Sequence, residues 1–279
     1  MQLFKASSAG FRANSLRVRV IKLIFITGDT HSDFYFRLGQ KHFPAAPDDY
    51  LIICGDFGGV WYDSPDERQR LDWLSSRPFT TLFVSGNHEN FDRLARLPVT
   101  EWNGGKVQYV REKIIHLMRG QVFNLEGHSF FTMGGASSHD IDDGILELDD
   151  PDFKRKVNQL NRRMALFRVN HLSWWKEELP CGEEYAEAEK NLDACGRKVD
   201  YIITHCAPTS LADVIGRGFY KADALTDFLE TVYQTCTFEK WFFGHYHEDM
   251  VIGGKMVLLY GDILCYDTLT DAARYLRSG

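Results

Sequence analysis

Along the chain, short apolar runs rich in β-branched and aromatic residues stop again and again at clusters of Gly, Asp, Asn or His. The runs are KLIFITGDTH, DYLIICGDFGG, TTLFVSGNHEN, SFFTMGGASSHD, DYIITHCAP, KWFFGHYH and KMVLLYGDI. Unbroken apolar character predicts strands buried on both faces, with polar chemistry at their C-terminal ends. Between them lie helical patterns. Ser64-Pro65-Asp66-Glu67 offers a capping serine, a proline suited to the first helical position and a glutamate placed to close a capping box, which predicts a helix over 64–76. A long polar stretch over 152–178, carrying Trp174 and Trp175, and a second over 182–195 that stops at Gly196 predict two more helices. The two tryptophans are expected to pack against the body or a partner rather than stack on a base. Leu225, Phe228, Leu229 and Val232 recur at helical spacing and predict an amphipathic fourth helix.

Alternating strands and helices imply an α/β or layered α+β fold. No internal repeat, Pro-rich linker or low-complexity tract divides residues 22–279, so one domain is the simplest reading, with 140–180 as a helical insertion or cap. Asp142, Asp143, Glu147, Asp149 and Asp150 in that segment lack EF-hand spacing and read as a solvated acidic loop. Residues 1–21 differ from the rest. They carry Lys5, Arg12, Arg17 and Arg19, the first acidic residue of the chain is Asp29, and there is no apolar h-region. A flexible N-terminal extension or an upstream start accounts for them better than a secretory signal.

Composition narrows the function classes. With 44% hydrophobic residues over 279 positions, the chain can bury a sizeable core. No apolar run approaches the 18 or so residues that cross a bilayer, so no membrane partner is expected. A net charge of -7 disfavours broad nucleic-acid binding, leaving room only for a local basic patch. The six cysteines form no C-x-x-C pair, which suits a reducing cytoplasm. Nothing in the sequence marks an oligomeric state.

The polar strand ends hold the chemistry. In Asp29-Thr30-His31 and in His245-Tyr246-His247, extended backbone throws residues i and i+2 to one side, where both can grip one cation. Asp56, in the GDFGG turn, has two oxygens that can bridge cations about 3.5 to 4 Å apart. Asn87 offers a neutral amide oxygen, His88 can bind metal or act on substrate, and His205 stands at the end of DYIIT. Any one of these is an ordinary turn or surface residue on its own. Five separate strand ends each delivering Asp, Asn or His are what point to a metal centre.

GDTH, GDFGG, GNHE, THCAP and GHYH follow the order and approximate spacing of the calcineurin-like metallophosphoesterases, and the resemblance spans 23–262. It implies two packed β-sheets flanked by helices as a four-layer sandwich. It also implies one metal on Asp29, His31 and His247, a second on Asn87, His205 and His245, and Asp56 bridging them. His88 would stay off the metals and donate a proton to the leaving oxygen. Ligands of this kind without thiolate suit two Mn, Fe or Zn ions better than Ca or Mg. Cys54 and Cys206 read as small buried hydrophobes.

Two positions depart from the family's common pattern. Ser32 stands where the usual residue is Gly, and Gly59 stands where the phosphoprotein phosphatase branch has the Asp that orients the catalytic His, so that branch is disfavoured. Asp33, Glu89 and Asp92 are the local candidates to orient His88. Ser138, His139 and Asp140, in a Gly-rich loop that resembles one beside the metals in bacterial members, either line the substrate pocket or form an ordinary polar turn. Arg93 and Tyr246 are either phosphate contacts or surface and packing residues.

The resulting expectation is a dinuclear hydrolase of a small phosphomonoester or phosphodiester, with hydroxide attacking phosphorus in line. The alternatives are a nuclease using the same centre and a non-catalytic interaction module on the same scaffold.

Overall fold

In a computed structural model, residues 22–39, 43, 45–216, 220–267 and 272–276 are described; the N-terminal extension lies outside them. The seven predicted apolar runs form short, largely buried strands, and further strands that the apolar pattern did not mark join them. In chain order the strands are β1 (Ile24–Thr27), β2 (Tyr50–Ile53), β3 (Thr80–Phe83), β4 (Val99–Trp102), β5 (Gly105–Arg111), β6 (Ile114–Leu117), β7 (Gln121–Leu125) and β8 (His128–Met133). There follow β9 (Ile145–Leu146), β10 (Arg168–Val169), β11 (Tyr201–Thr204), β12 (Lys240–Phe243), β13 (Met250–Ile252), β14 (Met256–Leu258), β15 (Ile263–Asp267) and β16 (Ala272–Leu276). Helices between them are α1 (Phe34–Arg37), α2 (Pro65–Ser75), α3 (Phe91–Leu94), α4 (Phe153–Arg162), α5 (Gly182–Ala194), α6 (Thr209–Gly216) and α7 (Ala224–Thr235).

Two mixed sheets result. The first has the order β16-β15-β1-β2-β3-β6-β5-β4 and the second β13-β14-β12-β11-β8-β7, each with a parallel centre and antiparallel margins. Alternation along each strand sends successive side chains to opposite faces. Ile24, Ile26, Ile52, Leu82, Tyr201, Ile203 and Phe242 meet in the core between the sheets. Phe25, Leu51, Ile53 and Phe83 instead face outward onto Phe34, Leu71 and Leu74 of α1 and α2. On the far side Phe131, Ile202, Trp241 and Phe243 pack on Ala188 and Leu192 of α5 and on Leu225, Leu229 and Val232 of α7. The layering is therefore helix, sheet, sheet, helix, and it explains why the strands read as unbroken apolar runs: both of their faces are buried.

The helix predicted over 64–76 forms as α2, with Ser64 Oγ accepting from the Glu67 amide at 3.1 Å. Glu67 does not close the expected box. Its carboxylate reaches back to the amides of Tyr62 and Asp63 at 2.7 and 3.0 Å, which ties the segment after the GDFGG loop to the helix. The predicted 152–178 helix is overturned after Arg162. Beyond Leu160 the apolar positions lose helical spacing, Met164 adopts φ +52, and β10 pairs with β9 instead. Trp174 and Trp175 accordingly lie on no long helix; Trp175 is buried edge-on to Trp61, so it packs against the body.

One buried histidine, on β6, ties stability to pH. His116 Nδ1 lies 2.9 Å from Gln108 Oε1, and the Gln108 amide nitrogen donates to the Leu94 and Leu97 carbonyls. The Gln108 oxygen is thus the acceptor and His116 Nδ1 carries the proton. Burial, reinforced by the Arg119 cation, lowers the His116 pKa from 6.5 to about 3. Between those values the unfolded chain binds a proton that the folded one does not, so the stabilisation present above pH 6.5 erodes as pH falls toward 3. The slope from this one group is about 1.4 kcal/mol per pH unit. His116→Phe keeps the stack on Phe83 and should flatten the wild-type slope by about that amount between pH 6 and 4 in urea unfolding. An unchanged slope would assign the acid sensitivity elsewhere.

Candidate metal centre

The C-terminal ends of β1, β2 and β3 from one sheet and of β8, β11 and β12 from the other converge on one edge of the sandwich. Cross-sheet hydrogen bonds hold them in register. Asp29 Oδ1 accepts from the His245 amide at 2.9 Å, the Cys54 carbonyl lies 2.8 Å from His205 Nδ1, and the Gly135 amide donates to the Ser85 carbonyl at 2.7 Å. The glycines of GNHE and GHYH are there for close approach: a Cβ on Gly86 would fall 2.0 Å from Asp56 Oδ1, and one on Gly244 would fall 2.1 Å from Asp29 Oδ1.

Seven side chains gather there. His31 and His247 bring their Nε2 atoms within 3.2 Å of each other, and His247 Nε2 lies 3.1 Å from Asp29 Oδ2. Asp56 spans the group, with Oδ1 at 3.3 Å from His205 Nε2 and Oδ2 at 3.8 Å from His31 Nε2. Asn87 Oδ1 is 3.2 Å from His205 Nε2. Two sets of atoms could each hold a metal ion: Asp29, His31 and His247, and Asp29, Asp56 and His205. Asp29 thus belongs to both sets. The His245 ring belongs to neither; its centroid lies 4.9 Å from that of His205 and 4.6 Å from that of His139.

The residues fit a cation. Asp29 and Asp56 are both buried, and Asp29 Oδ2 has no well-formed hydrogen bond. Such a carboxylate oxygen is costly without a positive partner. Because His205 Nδ1 points at a carbonyl, Nδ1 carries the proton in the neutral ring and the Nε2 lone pair faces the site, the usual support for a metal-binding histidine. Burial opposes its protonation, yet Asp56 and Asp29 hold the imidazole up at about 9. The reciprocal effect outweighs burial at Asp56, whose carboxyl is held low by His205, His88 and His31. Burial, then repulsion from His205 and His139, keeps His245 far below the usual range. His31, Asp56, His245 and His247 all have positive φ (44, 43, 73 and 53°), a costly conformation for non-glycine residues that is typical of functional sites. Ser32, where glycine is usual, also sits at φ +68°.

The profile of the family described as calcineurin-like phosphoesterase matches residues 22–249. The chain belongs to that family. No curated protein matches the sequence. Among solved structures, this calcineurin-like phosphoesterase is similar to the phosphopantetheinyl hydrolase from Mycobacterium tuberculosis, with 16% identity, a TM-score of 0.36, and coverage of 86% of this chain and 90% of that one. Among the described residues of the phosphoesterase, no helix is long and apolar enough to cross a membrane.

The other candidate residues divide sharply. The His88 amide donates to Asp56 Oδ1 at 2.8 Å, and its half-buried ring lies 5.4 Å from that of His31. None of the three candidates to orient that ring is hydrogen-bonded to it. Glu89 is buried and accepts from the Phe57 amide at 2.7 Å, so it braces the Asp56 turn. Asp92 accepts from Trp175 Nε1 at 2.8 Å and lies 2.9 Å from His171 Nδ1, so it moors the segment 171–175. The Asp33 side chain caps nothing.

Arg93 is ion-paired to Glu67 and Asp63. Tyr246 is buried, its hydroxyl accepting from the Ala207 amide at 3.3 Å. Asp140 is engaged by Arg168. His139 faces a cavity of about 270 Å³ beside His245, also lined by Ser137, Tyr220, Lys221 and Asp223. Cys54 and Cys206 are buried, and burial raises both thiol pKa values.

Sequence reasoning missed Glu178. It stands on a short 3-10 turn (Lys176–Glu178) at the end of the 140–180 segment and is 3% exposed, with its carboxylate on Ser138. An acidic residue in a polar stretch carries no local signal of burial.

Proposed function

We propose that the protein is a metal-dependent hydrolase of a small phosphomonoester or phosphodiester. The convergence of Asp29 and Asp56 with the rings of His31, His205 and His247 carries this reading: two buried carboxylates share one site, and one of their oxygens lacks a well-formed hydrogen bond. In it Asp29, His31 and His247 would hold one cation, Asn87, His205 and His245 would hold the other, and the Asp56 carboxylate would serve both. A donor set of carboxylate, imidazole and amide without thiolate suits Mn, Fe or Zn. Two bound cations would neutralise phosphoester oxygens and lower the pKa of a shared water toward roughly 7.

The chain's own groups do the rest. His88 is held at the edge of the site through its amide, leaving its ring free to give a proton to the departing oxygen. The cavity beside His245 and His139 receives the remainder of the substrate, with Tyr220 as an aromatic wall and Lys221 at hand for an anionic group.

The test is chelator-stripped protein assayed on aryl phosphate mono- and diesters before and after Mn²⁺, Fe²⁺ or Zn²⁺ is restored. Hydrolysis should return with up to two ions per chain. The melting temperature should also rise, since a ligand at 100 times its Kd adds about 2.7 kcal/mol. Protein that takes up no metal and gains no activity would refute the proposal.

A further inference from the structure

Resting on the reading that Asn87 and His205 share one cation, we propose that Glu178, acting through Ser138, is the positioning residue that turns the Asn87 amide oxygen toward that cation. A side-chain amide can face either way, and only its oxygen can ligate a metal. In this structure Asn87 Oδ1 lies 3.2 Å from His205 Nε2, while Asn87 Nδ2 lies 3.5 Å from Ser138 Oγ. Which end faces the cation is therefore decided by what Ser138 presents.

Ser138 Oγ has a single proton, and it donates that proton to Glu178 Oε2 at 2.7 Å. The Ser138 amide donates to the other carboxylate oxygen, Oε1, at 2.9 Å. With its proton directed at Glu178, the hydroxyl shows Asn87 only lone pairs, so it can accept from Nδ2 but has nothing to give Oδ1. The amide oxygen is thereby left on the side of His205.

Glu178 is itself held. The Arg119 guanidinium donates to the Glu177 and Glu178 carbonyls at 2.8 and 3.1 Å, and a Cβ on Gly135 would lie 2.4 Å from the Glu178 carbonyl oxygen. The relay therefore runs from the last turn of the 140–180 segment into the metal site. Ser138 also lines the cavity beside His139, but its hydroxyl is bonded on both sides and the residue is 9% exposed.

Glu178→Gln preserves shape and reverses one hydrogen bond. The Ser138 amide must donate, so the oxygen of the new side chain turns to it and the new nitrogen faces Oγ. Ser138 then accepts from that nitrogen and turns its own proton toward Asn87, which draws the Asn87 oxygen away from the cation.

The experiment titrates Zn²⁺ alone into chelator-stripped wild type, Glu178→Gln, Ser138→Ala and Ser138→Thr. Competition with a chromogenic chelator resolves the two sites. Wild type should bind two ions. Glu178→Gln and Ser138→Ala should each weaken one site by about 10- to 100-fold, the range for supporting partners of metal ligands, and spare the other. Ser138→Thr, which keeps the hydroxyl, should bind as wild type does. Glu178→Gln added to Asn87→Ala should cost nothing beyond Asn87→Ala alone.

Two wild-type sites left unchanged by Glu178→Gln and Ser138→Ala, or both sites weakened equally, would overturn the relay while leaving the metal centre standing. Wild type that binds no Zn²⁺ would overturn both. Should Ser138→Ala fail to fold by circular dichroism, the near-isosteric Glu178→Gln decides the outcome on the same criteria.

Discussion

Asp56→Asn is expected to cost at least about 10³-fold in phosphoester turnover and to leave the protein unable to hold two cations side by side. Asp56 sends its two oxygens to opposite halves of the site, Oδ1 toward His205 and Oδ2 toward His31. The substitution removes a negative charge and replaces one oxygen with an N–H donor that faces either imidazole lone pairs or a cation. The fold should survive, because the amide oxygen can still accept from the His88 amide. Elemental analysis beside steady-state assays checks this: metal content should fall from two ions toward one. A variant that retains two tightly held ions and wild-type turnover would remove Asp56 from the centre.

His88→Ala is expected to lower kcat by about 10²- to 10⁴-fold, the usual contribution of a positioned acid, with metal content unchanged. Position is the reason. The His88 backbone is bonded to Asp56, yet its ring is bonded to no ligand of either cation group. A general acid matters most when the leaving oxygen is basic. The loss should therefore be large for an alkyl phosphate and small for a nitrophenyl phosphate, whose oxygen departs without help. Equal losses on both substrates would show that His88 serves binding or structure rather than proton transfer.

Much of this molecule was legible from pattern. The inner strands appeared as apolar runs because they are covered on both faces, and α2, α5 and α7 appeared because their caps and spacing are local properties. The polar 152–178 stretch misled because composition suggested a helix while the backbone beyond Arg162 found its partners in β9, far back along the chain. Family membership was legible for a related reason. Metal-ligating residue types at strand ends recur in fixed order when loops of two sheets must meet, and GDTH, GDFGG, GNHE, THCAP and GHYH keep that order.

Partnership was not legible, because it depends on distance in space rather than along the chain. Three acidic residues near His88 in sequence could each have oriented it. Tertiary packing spends Glu89 on the Asp56 turn and Asp92 on Trp175 and His171, and leaves the Asp33 side chain without a cap to make. Arg93 could have met phosphate, but α2 brings Glu67 to it. Glu178, one acid among several in a polar stretch, became a buried support of Asn87 only because Arg119 and the loop after β8 fold against it. The amino-acid sequence by itself determined the α/β layering, the family and the cluster of Asp, Asn and His at the strand ends, since period, propensity and residue chemistry are local. Only the tertiary structure decided which way each polar group faces and what holds it, because a buried hydrogen bond is set by whichever donor or acceptor the packing of the two sheets brings within about 3 Å.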